Sequence, residues 1–305
     1  MAQRRPWEVY PPRATFGELW DGVPGLRLNA RDLTMLGHTL DHHFLAVRHY
    51  QALGYFPDAP HTSRRLRALV RAGLLARKRM PRWRQGDPRH QGYVYTLTAF
   101  GYKCLYEWGW ATAEEHRVFT PFWQTPNMRN NPEHELGVAD LVVGLMTALG
   151  PDVTVEWKGS REAVQVLGAD NRVGGRHLLA PDALAILTGP GTRDIVLLEY
   201  EQAATAPRIA HKIAGLIQYY RLQPWRKPGA TLTAPPKVLW SVGRTADRRR
   251  YWRSPLEEVR RQAGPEPFLY DRLWLVAEKD WRAGRWGLQS VRPGTSGRIR
   301  CGRGC

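Results

Sequence analysis

The stretch PDALAILTGPGTRDIVLLEYEQAATAPRIAHK, Pro181 to Lys212, decides how this chain is read. Asp182 opens an apolar run, Ala183 to Leu187, and Gly189, Pro190 and Gly191 follow as turn residues. A second apolar run, Ile195 to Leu198, leads into Glu199-Tyr200-Glu201. Two short apolar runs joined by Gly and Pro predict a β-hairpin. Side chains alternate along a strand, so Glu199 and Glu201 fall on one face. With Asp182 across from them, three carboxylates converge at one end of a sheet. Carboxylate oxygens are hard donors, suited to Mg²⁺ or Mn²⁺. The alternative is a set of unrelated strand-end acids on a solvated face, a common arrangement.

Working outward, Ile209 to Tyr220 has the periodicity of a helix and Lys237 to Ser241 that of a strand. Arg248 to Gln262 reads as a charged helix and Leu269 to Ala277 as a last strand. Upstream, Glu133 and Glu135 precede a helix carrying Leu136, Ala139, Val143 and Met146 and ending at Gly150, and Asp152 to Trp157 reads as a strand. The order is α-β-β-β-α-β-α-β, which predicts a mixed sheet flanked by helices in an α/β chain of the α+β kind. This second domain is expected over residues 132–281. Beyond it, residues 282–305 are dominated by Gly and Arg and are expected to be a basic disordered tail.

At the other end, residues 1–29 are rich in Pro and Gly and read as an irregular arm. Two helical patterns follow, Leu33, Leu36 and Leu40, then Phe44, Val47, Tyr50 and Leu53, with Gly54 as a stop. The stretch TSRRLRALVRAGLLARKR, Thr62 to Arg79, predicts a third helix. Thr62 or Ser63 caps it, Leu66, Leu69 and Val70 form its apolar stripe, and Gly73 ends it. Leu74 to Lys78 and YVYTL, Tyr93 to Leu97, predict two strands around a polar loop. Ala99 to Trp110 closes the domain as a helix packing Phe100, Leu105 and Trp108. Three helices followed by a β-hairpin is the plan of a winged helix-turn-helix, here over residues 30–110. Residues 111–131, with Thr120-Pro121 and Thr125-Pro126 inside them and Asn131-Pro132 at their end, read as a linker.

Charge sharpens that reading. Net charge is +17, with 19 Lys/Arg against 10 Asp/Glu in residues 1–130, 11 against 11 in 131–243, and 15 against 7 in 244–305. Arg64 to Arg89 alone holds ten Lys/Arg and one acid, Asp87, which accounts for the whole excess of the first 130 residues. In a winged helix those residues form the recognition helix and the wing, which meet the major groove and the backbone of DNA. The expected DNA-binding residues are therefore Arg64, Arg65, Arg67, Arg71, Arg77, Lys78, Arg79, Arg82, Arg84 and Arg89. Trp83 is placed to insert or stack at a groove. The alternatives are a solvated basic face or a winged helix that mediates dimerisation. A double-stranded DNA partner is expected, with no membrane partner, since no apolar run approaches the roughly 20 residues that cross a bilayer. Cys104, Cys301 and Cys305 form no zinc-binding pattern, and residues 1–10 lack the apolar core of a signal peptide, so a reduced cytoplasmic setting is expected.

The order of parts resembles the bacterial replication-relaxation family of plasmids and integrative elements. The residues that carry the resemblance are RRLRALVRAGLL (Arg64 to Leu75), YTLTAFG (Tyr95 to Gly101), HELGVADLVVGL (His134 to Leu145), PDALAIL (Pro181 to Leu187), LLEYEQAAT (Leu197 to Thr205) and HKIAGLIQYY (His211 to Tyr220). The resemblance implies a winged helix joined to a domain similar to the PD-(D/E)xK nucleases. It implies that Glu135, Asp182 and Glu199 are the metal-binding acids. Where that pattern places a lysine, this chain has Glu201. Lys212 on the following helix is the candidate to bring an ammonium into the same space. The catalytic candidates are thus Asp182, Glu199, Glu201, Lys212 and Glu135, and the implied cofactor is Mg²⁺ or Mn²⁺.

Three functions follow from this reading. One is a metal-dependent DNA endonuclease or nickase acting on the DNA of a plasmid or mobile element. The second is a non-catalytic replication initiator or accessory factor, with replication or conjugation proteins as partners and a degenerate nuclease fold as scaffold. The third is a transcription regulator with a sensing domain. A relaxase-type covalent mechanism needs a histidine cluster beside a tyrosine. His42 and His43 are the only close histidine pair and lie in the winged helix, which argues against a covalent mechanism, with Tyr219-Tyr220 as the open alternative.

Overall fold

In a computed structural model, residues 26, 28–79, 92–110, 132–149, 152–168, 171–201, 205–228, 230, 232–242, 255–286 and 289–290 are described. The expectations for Arg82, Trp83, Arg84, Arg89 and the 111–131 segment lie outside them. The chain forms two compact units, residues 1–143 and 144–305.

In the first unit, Asn29 starts helix α1 (Ala30–Asp41) with a reciprocal capping box to Asp32. A two-residue strand, β1 (Leu45–Ala46), separates it from the short helix α2 (Val47–Ala52). Helix α3 (Ala59–Arg71) begins earlier than its apolar stripe indicates. Asp58 caps it by accepting from the His61 N–H at 2.7 Å, and Thr62 is buried inside the helix. Gly73, at φ 74°, ends it in the left-handed conformation that a Cβ disfavours. Strands β2 (Leu75–Arg79) and β3 (Tyr93–Leu97) pair antiparallel, and the sheet order β1-β3-β2 is that of a winged helix. Helix α4 (Ala99–Glu107) is capped by Thr98. It buries Leu105 and Trp108, but Phe100 is 43% exposed. The reason is the next residue: the Cβ position of Gly101 is 2.1 Å from the Leu74 carbonyl oxygen, so Gly101 faces inward and Phe100 is turned out.

Helix α5 (Pro132–Ala148) contains Glu133 and Glu135 rather than following them, and its first three turns belong to the first unit. Leu136 joins Phe44, Ala46 and Val94 in one buried cluster. Asp140 accepts from Arg48 Nε at 2.8 Å and Nη2 at 3.1 Å. It lies 2.6 Å from His49 Nε2, and the His49 Nδ1 accepts the Ala46 N–H at 3.1 Å. That second bond fixes the tautomer, so Nε2 donates to Asp140. Replacing Asp140 with alanine takes the acceptor from buried His49 and half-buried Arg48. The expected loss is about 2–3 kcal/mol of unfolding free energy, checked by urea denaturation.

In the second unit six of the described strands form a mixed sheet. Strands β4 (Thr154–Gly159), β7 (Ala183–Gly189) and β8 (Thr192–Glu201) are antiparallel neighbours. Strand β9 (Lys237–Val242) runs parallel to β8, and β10 (Leu273–Ala277) parallel to β9. The mixed sheet expected from the sequence is present, with two additions between β4 and β7. These are helix α6 (Ser160–Leu167) and a separate two-stranded hairpin, β5 (Arg172–Val173) and β6 (Arg176–His177). Helices α7 (Ala206–Leu222) and α8 (Pro255–Ala263) cover one sheet face together with α6, burying Leu184, Leu197, Val238, Trp240 and Leu275. On the other face α9 (Glu278–Trp281) lays Trp281 against the sheet, and its Nε1 donates to Ser241 Oγ at 2.7 Å. Order continues past the point where the tail was expected to begin. Residues 282–286 are described, and β11 (Gln289–Ser290) pairs with Trp274–Leu275. Among the described residues no helix is long and apolar enough to cross a membrane.

Candidate functional site

Two groups of side chains stand out, one in each unit. The first is the basic face of the winged helix. On α3, Arg64, Arg67 and Arg71 are exposed, opposite buried Leu66 and Leu69. The spacing i, i+3, i+7 keeps the three arginines along one stripe. On β2, Arg77, Lys78 and Arg79 are also exposed, and the Arg77 guanidinium lies 4.7 Å from the centroid of the Tyr93 ring. Arg65 does not join this face. Its Nε donates to Asp32 Oδ1 at 2.7 Å and its Nη2 to Oδ2, clamping a fully buried carboxylate on α1. That bond raises the Arg65 pKa further. Arg65 is thus committed to holding α3 on α1.

The second group sits at the end of β7 and β8, under α7. Ala183 pairs with Leu198, which places Asp182 beside Glu199 and Tyr200. Asp182 Oδ2 accepts the Tyr200 N–H at 2.8 Å. Glu199 and Glu201 point to the helix-covered face, as strand alternation requires, and are 2% and 0% exposed. Lys212, reaching down from α7, bonds Glu199 Oε2, with Asp182 Oδ2 at 3.7 Å and Glu201 Oε2 at 3.6 Å. The structure therefore gathers Asp182, Glu199, Glu201 and Lys212 around one ammonium. Sequence reasoning missed two members. Arg208, one turn before Lys212 on α7, places Nε 3.3 Å from Glu201 Oε1. Trp240, across from Glu199 on β9, puts its ring centroid 5.8 Å from Lys212 Nζ. The i, i+4 spacing of Arg208 and Lys212 was the available signal for the first. Glu135 lies in the first unit, 3.8 Å from His134 Nδ1.

Three acids and two bases leave this cluster with excess negative charge in a buried place, so it draws protons. Burial pushes Glu199 up to about 7, with Asp182 and Glu201 adding to the rise and the Lys212 ammonium opposing it. Burial alone would lower Lys212, but its carboxylate neighbours more than reverse this and raise it. The sign for stability follows. A carboxyl whose folded pKa is raised binds its proton more readily when folded, so its contribution is full below the unfolded value and is lost as pH rises toward 7. Unfolding free energy is expected to fall between about pH 4.5 and 7, and Glu199→Gln is expected to flatten that limb. Denaturant midpoints measured across that range check it.

All three acids offer carboxylate oxygens, the donor type a hard dication takes, and both oxygens of buried Glu201 make ion pairs but no hydrogen bond among the described residues. As arranged here, Lys212 stands at the centre of the set. Among the described residues no group of three or more His, Cys, Asp or Glu side chains is spaced to hold a metal ion. The tyrosine alternative is closed off by packing. Tyr219 and Tyr220 are buried in the core, and the Tyr220 hydroxyl donates to the Pro236 carbonyl. His42 is buried beside His38 in the first unit, and burial lowers its pKa.

A model of the replication-relaxation family matches residues 36–233, about two thirds of the chain and all of the motifs around both groups. The chain belongs to the replication-relaxation family. No curated protein and no solved structure matches it. Membership assigns it a role in replication or relaxation, and in this family member the matched span runs from α1 through α7, including Lys212.

Proposed function

We propose that this replication-relaxation protein binds double-stranded DNA of a plasmid or mobile element through its winged helix and acts on that DNA in replication or relaxation. The observation that carries the reading is the basic face. Six exposed cations lie on the helix and strand that approach DNA in this fold, and no acidic residue occurs from Arg64 through Arg79. Arginines at the groove and on the wing bind phosphates and release counterions. Equilibrium binding of a labelled duplex by the full chain, measured across a series of salt concentrations, tests it. Affinity independent of salt defeats the reading.

The gathering of Asp182, Glu199, Glu201 and Lys212 favours a nicking activity in the second unit, whose strand order and parallel fourth strand resemble a PD-(D/E)xK nuclease core. Asp182 and Glu199 would hold Mg²⁺ or Mn²⁺, which when bound supplies charge neutralisation at phosphorus and an acidified water. Lys212 takes the place of the lysine that Glu201 displaced from β8, and offsets charge developing on the phosphate. Glu201, tied to Arg208, holds the Lys212 ammonium over Glu199. Conversion of supercoiled plasmid to the open circle in the presence of Mn²⁺ tests the activity. Its absence in wild-type protein that binds DNA leaves the second unit as a scaffold.

A further inference from the structure

The hairpin β5–β6 is not explained by the fold. Its turn, Gly174–Gly175, has both residues left-handed, at φ 57° and 77°, the geometry of a tight two-residue hairpin. Residues 172–177 are all exposed, Val173 by 48%, and the two strands pair only with each other. A ribbon that buries nothing adds little to stability. Its base, in contrast, is held firmly. Asn171 is fully buried, its side chain accepts the Leu179 N–H at 3.1 Å and donates to the Leu179 carbonyl, and Leu179 enters the main core. The Leu178 carbonyl oxygen lies 2.3 Å from the Cβ position of Gly215, so the base presses on α7 one turn beyond Lys212. Five residues after His177 comes Asp182.

The ribbon is basic on both sides. Arg172 pairs with His177 and Val173 with Arg176, so one guanidinium stands on each face. No acidic residue occurs from Asn171 through Pro181. Among the described residues Arg172 contacts only His177 Nε2, at 3.4 Å, and no carboxylate pairs with Arg176. A two-stranded ribbon fits the major groove of B-DNA, where cations on its two faces meet phosphates on the two walls. We propose that the Arg172–His177 hairpin is a second DNA-contacting element, a basic ribbon that grips backbone phosphates beside the Asp182–Lys212 cluster. This rests on the DNA-binding reading above.

The test compares wild type with Arg172→Ala/Arg176→Ala, both as full chains, by duplex binding against salt and by thermal unfolding. Losing two phosphate contacts lowers the salt slope by about 1.8. The thermal midpoint is expected to stay unchanged, and Arg172→Lys/Arg176→Lys, which keeps the charge, to restore most of the slope. A wild-type slope and affinity in the alanine variant overturn the hairpin proposal and leave the winged-helix reading standing. Wild-type protein that does not bind duplex at all overturns both. A slope restored by neither charge nor side chain, with a lowered midpoint, assigns the hairpin to folding and overturns the proposal.

Discussion

Replacing Arg64, Arg67 and Arg71 together by alanine is expected to weaken duplex binding by on the order of 10²- to 10³-fold near 0.1 M salt, through a loss of about 0.9 in salt slope per phosphate contact. The three side chains are exposed along one stripe of α3, so unfolding free energy is expected to change by less than about 0.5 kcal/mol per site. Arg65→Ala is the contrasting control on the same helix. It takes away the cation that grips the fully buried carboxylate of Asp32 from two nitrogens, leaving the Asn29 N–H of the capping box, and is expected to cost about 3 kcal/mol of stability. Fluorescence anisotropy and chemical denaturation on wild type and these two variants separate the two roles. Wild-type affinity and slope in the triple variant would remove α3 from DNA binding.

Lys212→Met is expected to lower stability by about 3–5 kcal/mol at pH 8, because the side chain keeps its length while the ammonium shared by three carboxylates is gone. The loss should shrink as pH falls. Without Lys212 the folded pKa of Glu199 climbs further, so the carboxyl takes up a proton over a wider range and the repulsion is relieved. Divalent cation gives the second arm. Mg²⁺ or Mn²⁺ is expected to raise the thermal midpoint of wild type by preferential binding to the folded state. Asp182→Asn keeps an oxygen for the Tyr200 N–H, so the fold should persist while the metal increment and any plasmid nicking disappear. Lys212→Met, assayed where it is folded, should keep the metal increment and lose nicking. A wild-type midpoint unmoved by millimolar Mn²⁺ would end the metal-dependent reading, and the acids and Lys212 would then be a buried ion network that holds α7 on the sheet.

Residues within about one turn or one strand of each other carried the legible part of this protein. Period-two alternation in β8 put Glu199 and Glu201 on one face, helical spacing put Arg64, Arg67 and Arg71 on one stripe, and Gly73 marked the end of α3. Most of the succession of helices and strands along the second unit followed from the same periodicities, while α6 and the β5–β6 hairpin escaped them because each is eight residues or shorter and the hairpin buries no side chain. Sequence alone also placed Lys212 near the acids, but only through the resemblance to a nuclease core. What tertiary structure decided were the partners of charged groups far apart in the chain. Arg65 reads as a DNA ligand beside its arginine neighbours, yet packing brings it to Asp32, 33 residues away. Asp140, on which the sequence pattern was silent, is the acceptor for Arg48 and His49, more than 90 residues earlier, and so ties the first half of α5 to the first unit. A local pattern fixes which face a side chain occupies; which charge it meets there depends on how separate elements pack, because an ion pair is set by distance in space and carries no periodicity along the chain.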